Sequence, residues 1–306
     1  MGSEYSMLKY LTCTLLLITL LAGYAHSENA QRHTKVIVKN STIEIFFESD
    51  ELWTRRKIIT SWIENSANTI ANYFGKFPVK DLYIALIAVE GENVKNGIVF
   101  GGEEFIININ IGKDVNVSQL ESDWVMVHEM AHLAFPNVEQ SWAEEGMATY
   151  LEPITRAYVG DYSAEYVWQS LITKMPQGQP KNADKGLDNT PTWGRKYWGG
   201  AAFYLIADVD IRRRTNNKFS LQDAFKGILH AGYSMSNTTE LATVFAAADK
   251  SVGVPVLTEL YNRHKNSAVP FDLDKLWRDL GVSLSDGTIQ YDNSAPLSSI
   301  RQSMMH

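Results

Sequence analysis

The sequence predicts an α+β chain: a β-rich first third, a helical remainder and a cleft where the two parts meet. Three observations carry this expectation. "KVIVKNSTIEIFFES" (35–49) alternates or runs apolar with β-branched residues, the pattern of a strand or hairpin around Asn40 and Ser41. "DLYIALIAVE" (81–90) has the continuous apolar character of a buried strand. From residue 118 onward, apolar residues recur at helical spacing between short Gly, Pro or Asn breaks. With 306 residues, 45% apolar and 21% charged, the chain can bury a sizeable core as one large domain or two small ones.

The N-terminal stretch "MLKYLTCTLLLITLLAGYAHSEN" (7–29) places Lys9 ahead of an apolar run from Leu11 to Ala22, with Gly23 and Ala25 before a polar segment. It reads as a secretory signal cleaved near Ala25, which assigns 1–25 to a signal peptide, with translation able to begin at Met7. The competing reading is an uncleaved N-terminal membrane anchor, although the run is too short to span a bilayer well. Cys13, the single cysteine, lies inside that run. The mature chain then has no disulfide, thiolate ligand or thiol nucleophile, so a catalytic metal must use His and carboxylate. An exported chain without disulfides fits a bacterial periplasm or exterior better than a eukaryotic secretory route. The sequons at Asn40, Asn116 and Asn237 read as chance.

Leu52, Ile58, Ile59, Trp62, Ile63, Ile70 and Phe74 recur at helical spacing, and Gly75 and Pro78 end that helix. "NGIVFGGEEFIININIG" gives two short strands around Gly101 and Gly102, and Ser118 is placed to cap the helix that follows. Helices are expected near 118–134, 140–154, 161–174, 196–215, 220–230, 237–249 and 253–266. "MPQGQPKNADKGLDNTPTWGR" (175–195) is the one long irregular stretch, and such loops are usually functional or mobile. The net charge of -7 argues against a nucleic-acid partner, and the isolated run Arg212 to Arg214 reads as a solvated helix end.

Chemistry concentrates in "VMVHEMAHLAFPNVEQSWAEEGMATY" (125–150). His128 and His132 stand at i and i+4, so a helix presents both imidazoles on one face, where they can hold one Zn²⁺ at about 2.0–2.1 Å each. Glu129 lies roughly 100° around the helix, placed to reach a metal-held water and take its proton as general base. A catalytic zinc needs a third protein ligand beside one open position. Pro136 stops the first helix, and a second one starting near Glu139 or Gln140 can fold back with Glu144 and Glu145, of which only one should face the metal. The bland reading is a helix pair whose His and Glu make ordinary surface pairs.

"HEMAHLAF" followed by "SWAEEGMATY" resembles the gluzincin zinc peptidases of the peptidase MA superfamily. "RKYWGGAAFYLIADVDIRRRTNNKFSLQDAFKGIL" and "LYNRHKNSAVPFDLDKLWRDLGVSLSDG" resemble the glycyl aminopeptidase family's catalytic domain, so the similarity runs over roughly 95 to 287. The resemblance implies a thermolysin-like fold with a zinc cleft between a small N-terminal sheet part, 33–115, and a helical zinc-binding part, 116–290, leaving 291–306 as a tail. It implies one Zn²⁺ per chain held by His128, His132 and Glu145, Glu129 as general base, and Tyr197 as donor to the tetrahedral oxyanion. It also implies that the strand pair from Gly97 to Ile111 edges the cleft and pairs with substrate backbone. The chain departs from the pattern in its shorter His132-to-Glu145 spacing and in lacking a Gly-x-Met-Glu-Asn segment. It carries Thr149 where thermolysin-like enzymes carry an Asp.

The expected activity is peptide hydrolysis by an exported zinc metallopeptidase acting on peptides or proteins, with no stable membrane span in the mature chain. The alternatives are a catalytically silent binding protein on the same scaffold and a zinc amidohydrolase acting on non-protein amides. The absence of a Gly-x-Ser-x-Gly turn disfavours a serine hydrolase. Among remaining residues, Arg195 reads as a solvated charge and Trp193 as a packing residue able to wall a subsite. His230 and His264 read as ordinary surface or partly buried histidines, and 175–195, with Gly178 and Gly186, as a candidate lid.

Overall fold

The computed structural model describes residues 32–305; the expected signal segment and Cys13 lie outside the described residues. The first part is a five-stranded mixed sheet. β1 (His33–Val38) and β2 (Ser41–Phe47) form the expected hairpin, followed by α1 (Asp50–Thr54), α2 (Arg56–Phe74), β3 (Asp81–Val89), β4 (Val94–Phe100) and β5 (Ile106–Gly112). The order is β1-β2-β3-β5-β4. β2, β3 and β5 run parallel and the outer strands antiparallel to their neighbours. The α2 crossover permits the parallel β2–β3 pairing, which no tight turn could make.

Ile43, Ile45 and Phe47 of β2, Leu82, Ile84 and Leu86 of β3, and Ile107, Ile109 and Ile111 of β5 are buried at alternating positions, as the period of a strand requires. Ile59, Ile63, Ala67, Ile70 and Phe74 give α2 its apolar stripe. The single helix expected from Leu52 to Phe74 is interrupted at Arg55, whose N–H bonds Leu52 O and closes α1.

The helical part contains α3 (Val117–Glu121), α4 (Val125–His132), α5 (Ser141–Tyr158), α6 (Ala164–Lys174), α7 (Gly200–Arg214), α8 (Leu221–His230), α9 (Leu241–Val252), α10 (Val256–His264) and α11 (Leu273–Leu280). A hairpin, β6 (Val282–Ser285) with β7 (Thr288–Tyr291), and α12 (Ser298–Ser303) complete the described residues. Ile300, Arg301 and Met304 are buried, and Arg301 donates 2.9 Å to Leu280 O, so the segment expected as a tail packs on the body.

The expected helix 118–134 is two helices with a corner between them. Ser118 does not cap the His-bearing helix; the Asp123 carboxylate does, accepting 3.0 Å hydrogen bonds from the N–H groups of Val125 and Met126. Asn116 caps α3. Arg156 of α5 bonds Glu121 O at 2.7 Å and also Asp123 O, which ties the start of α4 to the far end of α5.

Candidate metal centre

α4 is wholly buried, so its histidines are interior groups rather than residues of a surface helix. His128 and His132 face one way, their ring centroids 5.0 Å apart. α5 folds back beside α4 and brings Glu145 to the pair: its Oε2 lies 3.3 Å from His128 Nε2 and 3.8 Å from His132 Nε2. The three donor atoms all lie within 4.8 Å of one another, a group placed to hold one metal ion.

The charge states suit such an ion. Burial, reinforced by His128, lowers His132 to about 3, which keeps its ring neutral with a lone pair to offer. Burial alone would raise Glu145, but above all the bond to His128, with the electrostatics of its surroundings including Lys196, holds it below the ordinary carboxylate value. Two imidazoles and one carboxylate are a donor set of the kind zinc takes in catalytic sites. The neighbouring glutamate is turned elsewhere. Glu144 Oε1 accepts a 2.8 Å bond from Val138 N, and burial pushes its carboxyl up to about 7.

Glu129 projects towards β4, one of the two edge strands of the sheet. A Cβ at Gly97 would lie 2.6 Å from Glu129 Cγ, so only glycine lets the strand pass this closely. Burial raises the Glu129 carboxyl to about 7, opposed by His128 and by the Val99 N–H.

Tyr197 lies on a π-helical turn, Arg195–Gly199, that leads into α7. Its ring stacks against His128 at 6.2 Å and 17°. Burial, the Glu145 charge and a hydrogen bond with Glu145 push its phenol up to about 12, so the hydroxyl stays protonated and able to donate. The contact between α5 and α7 brings it there: a Cβ at Gly146 would meet Gly200 Cα at 2.3 Å. The Glu-Gly of one helix and the Gly-Gly of the other are thus the crossing point, with Glu145 one residue before it and Tyr197 three before it.

Thr149 Oγ1, His128 Nδ1 and Glu152 Oε1 are all buried and without a hydrogen-bond partner among the described residues. Glu145, Thr149 and Glu152 share one face of α5 by their spacing. Arg156 approaches Glu152 at 3.5 Å. A carboxylate one turn beyond Thr149 escaped notice in the sequence because its Glu lies outside the motif; its spacing on the helix was the available signal.

Arg195 is not solvated: its guanidinium is 2.8 Å from Asp184, both side chains are buried, and Nη1 donates 2.7 Å to Gly178 O. Asp188 accepts from Trp142 Nε1 at 2.7 Å and from Tyr261 OH at 2.8 Å. The stretch 175–195 is therefore fastened both to the turn that carries Tyr197 and to the start of α5. His264 is buried, stacked on Phe271 and lowered to about 4 chiefly by burial, and His230 is exposed. Neither joins the centre.

No family model matches the sequence, and no curated protein matches it. Among solved structures, the chain is similar to an aminopeptidase N family protein from Idiomarina loihiensis, with a TM-score of 0.59, 16% identity and coverage of 83% of this chain and 49% of that one. It is also similar to a two-domain M1 zinc metallopeptidase variant bound to L-arginine, with a TM-score of 0.50, 14% identity and coverage of 78% and 52%. The chain spans about half the length of these structures. At such identities the likeness is one of fold: this α+β architecture is shared with M1 zinc metallopeptidases.

Proposed function

We propose that the chain is a zinc-dependent metallopeptidase of the gluzincin type, in which His128, His132 and Glu145 hold one Zn²⁺. The observation that carries this reading is the convergence of those three donors, with Glu129 next to His128 in the chain and Tyr197 stacked on the His128 ring. The fold shared with M1 zinc metallopeptidases supports it. So do the sequence motifs, which favour the glycyl aminopeptidase family as the finer placement.

Bound zinc supplies a Lewis acid that acidifies a water and polarises the scissile carbonyl. Glu129 accepts the proton released as the carbonyl is attacked and passes it to the leaving amine. Its burial suits this work, because a carboxylate held near neutral pH both takes and returns a proton readily. Tyr197 donates its phenolic hydrogen to the carbonyl oxygen as negative charge develops there. In this reading β4, an edge strand above Glu129, pairs with the extended substrate backbone.

We further place the protein outside the cytoplasm, on the strength of the N-terminal targeting pattern. Among the described residues no helix is long and apolar enough to cross a membrane.

The test is mass spectrometry of a diverse peptide mixture incubated with zinc-loaded protein, with Glu129→Ala in parallel. Cuts made by the wild type and reduced at least 100-fold in the variant are expected, the scale on which general-base catalysis contributes. Equal cutting by Glu129→Ala would remove the mechanism. No cutting by zinc-loaded wild type would transfer the reading to a binding protein on a peptidase scaffold.

A further inference from the structure

Six of the eight tryptophans are used by the fold. Trp62, Trp142, Trp168 and Trp277 are buried, and Trp53 and Trp198 pack against the core. The two left open are Trp124, 51% exposed, and Trp193, 59% exposed. Both stand at the metal centre. Trp124, the residue before α4, meets His128 edge-on with ring centroids 5.2 Å apart. Trp193, at the end of the long loop, stacks on Tyr197 at 5.5 Å and 25°. With the Tyr197–His128 stack, the four rings form one row, with a metal-ligand candidate and the phenol inside and an open indole at each end.

We propose that Trp124 and Trp193 are the walls of side-chain subsites on the two sides of the scissile bond, so that the site takes peptides carrying an aromatic or large aliphatic residue beside the bond that is cut. This rests on the peptidase reading. An indole offers a large apolar face, and its exposure at a cleft is relieved when a bound side chain covers it. The same face also attracts cations. Here, however, the Lys196 ammonium lies 6.0 Å from the Tyr197 ring centroid, within the same row, and repels a basic side chain. Neutral apolar side chains are what remains.

The experiment is residue profiling at the two positions flanking each cut, using a diverse peptide mixture and zinc-loaded wild type, Trp124→Ala and Trp193→Ala. Both tryptophans are exposed, so the variants retain the fold. The expected result is about tenfold or greater enrichment of Phe, Tyr, Trp, Leu or Met at one or both flanking positions, the range an apolar pocket commonly provides. Each variant then flattens the profile on its own side of the bond. Cuts without apolar enrichment, enrichment of Lys or Arg, or a profile unchanged in both variants would overturn the subsite assignment while leaving the peptidase reading intact. Absence of any cut by the zinc-loaded wild type would overturn both, and so separates the two failures.

Discussion

The Glu152 carboxyl is buried, and burial raises it to about 7 against the partial relief given by Arg156 and His128. Between about pH 4.5 and 7 the folded chain therefore keeps a proton that the unfolded chain has released, and stability falls as pH rises through that window. Glu129 and Glu144 are raised in the same direction and add to the trend. Glu152→Gln removes one contribution. Denaturation of chelator-treated protein should show wild type and variant alike near pH 4, with the variant gaining relative stability by pH 8, by no more than about 3 kcal/mol. Parallel curves across that range would mean that Glu152 is not held in its protonated form. At this scale the sequence was informative where spacing alone determines direction. His128, His132 and Glu129 fall within one helical turn, so their relative placement follows from the helix. Glu145 could be separated from Glu144 only by resemblance, because the deciding contact, Glu144 with Val138 N, depends on a turn whose path the residues do not announce.

At the scale of elements, two contacts hold the candidate catalytic groups in place. The first is the crossing of α5 and α7 at Gly146 and Gly200. Gly146→Ala puts a methyl where the Gly200 backbone stands, so the helices must part and Tyr197 must leave Glu145. A loss of about 1–3 kcal/mol in chemical denaturation is expected, with a loss of peptidase turnover. Unchanged stability and turnover would show that the crossing is not tight. The second contact is the buried pair Arg195–Asp184, which anchors the loop to the π-helical turn. Arg195→Met leaves a buried carboxylate unpaired, at about 3–5 kcal/mol, whereas Arg195→Met with Asp184→Leu should recover most of that loss. If the double variant is no more stable than the single one, the pair is not the unit that fastens the loop. These contacts explain which elements could be read in advance. The helices and strands follow apolar periodicity, which is local. The corner between α3 and α4 and the fastening of 175–195 are set by partners far away in sequence, such as Arg156 for the corner and Trp142 and Tyr261 for the loop, and periodicity carries no trace of them.

For the whole molecule, the α+β class was legible because strand-like apolar runs are confined mostly to the first third, around the helical spacing of α2, and helical spacing prevails after residue 118. The strand order was not. β5 lies between β3 and β4, and that arrangement depends on pairings that composition does not encode. It matters for function because it leaves β4 as an edge above Glu129. The same global packing closes α4 between α2, α5 and β4, so that a short helix of His and Glu becomes part of the interior. The claim on which the rest depends is that His128, His132 and Glu145 hold the metal while Glu144 does not. Elemental analysis of purified wild type, Glu145→Ala and Glu144→Ala after zinc loading and desalting tests it most directly. One zinc per chain in wild type and Glu144→Ala, with little in Glu145→Ala, is the predicted result; full zinc in Glu145→Ala with loss in Glu144→Ala would contradict it.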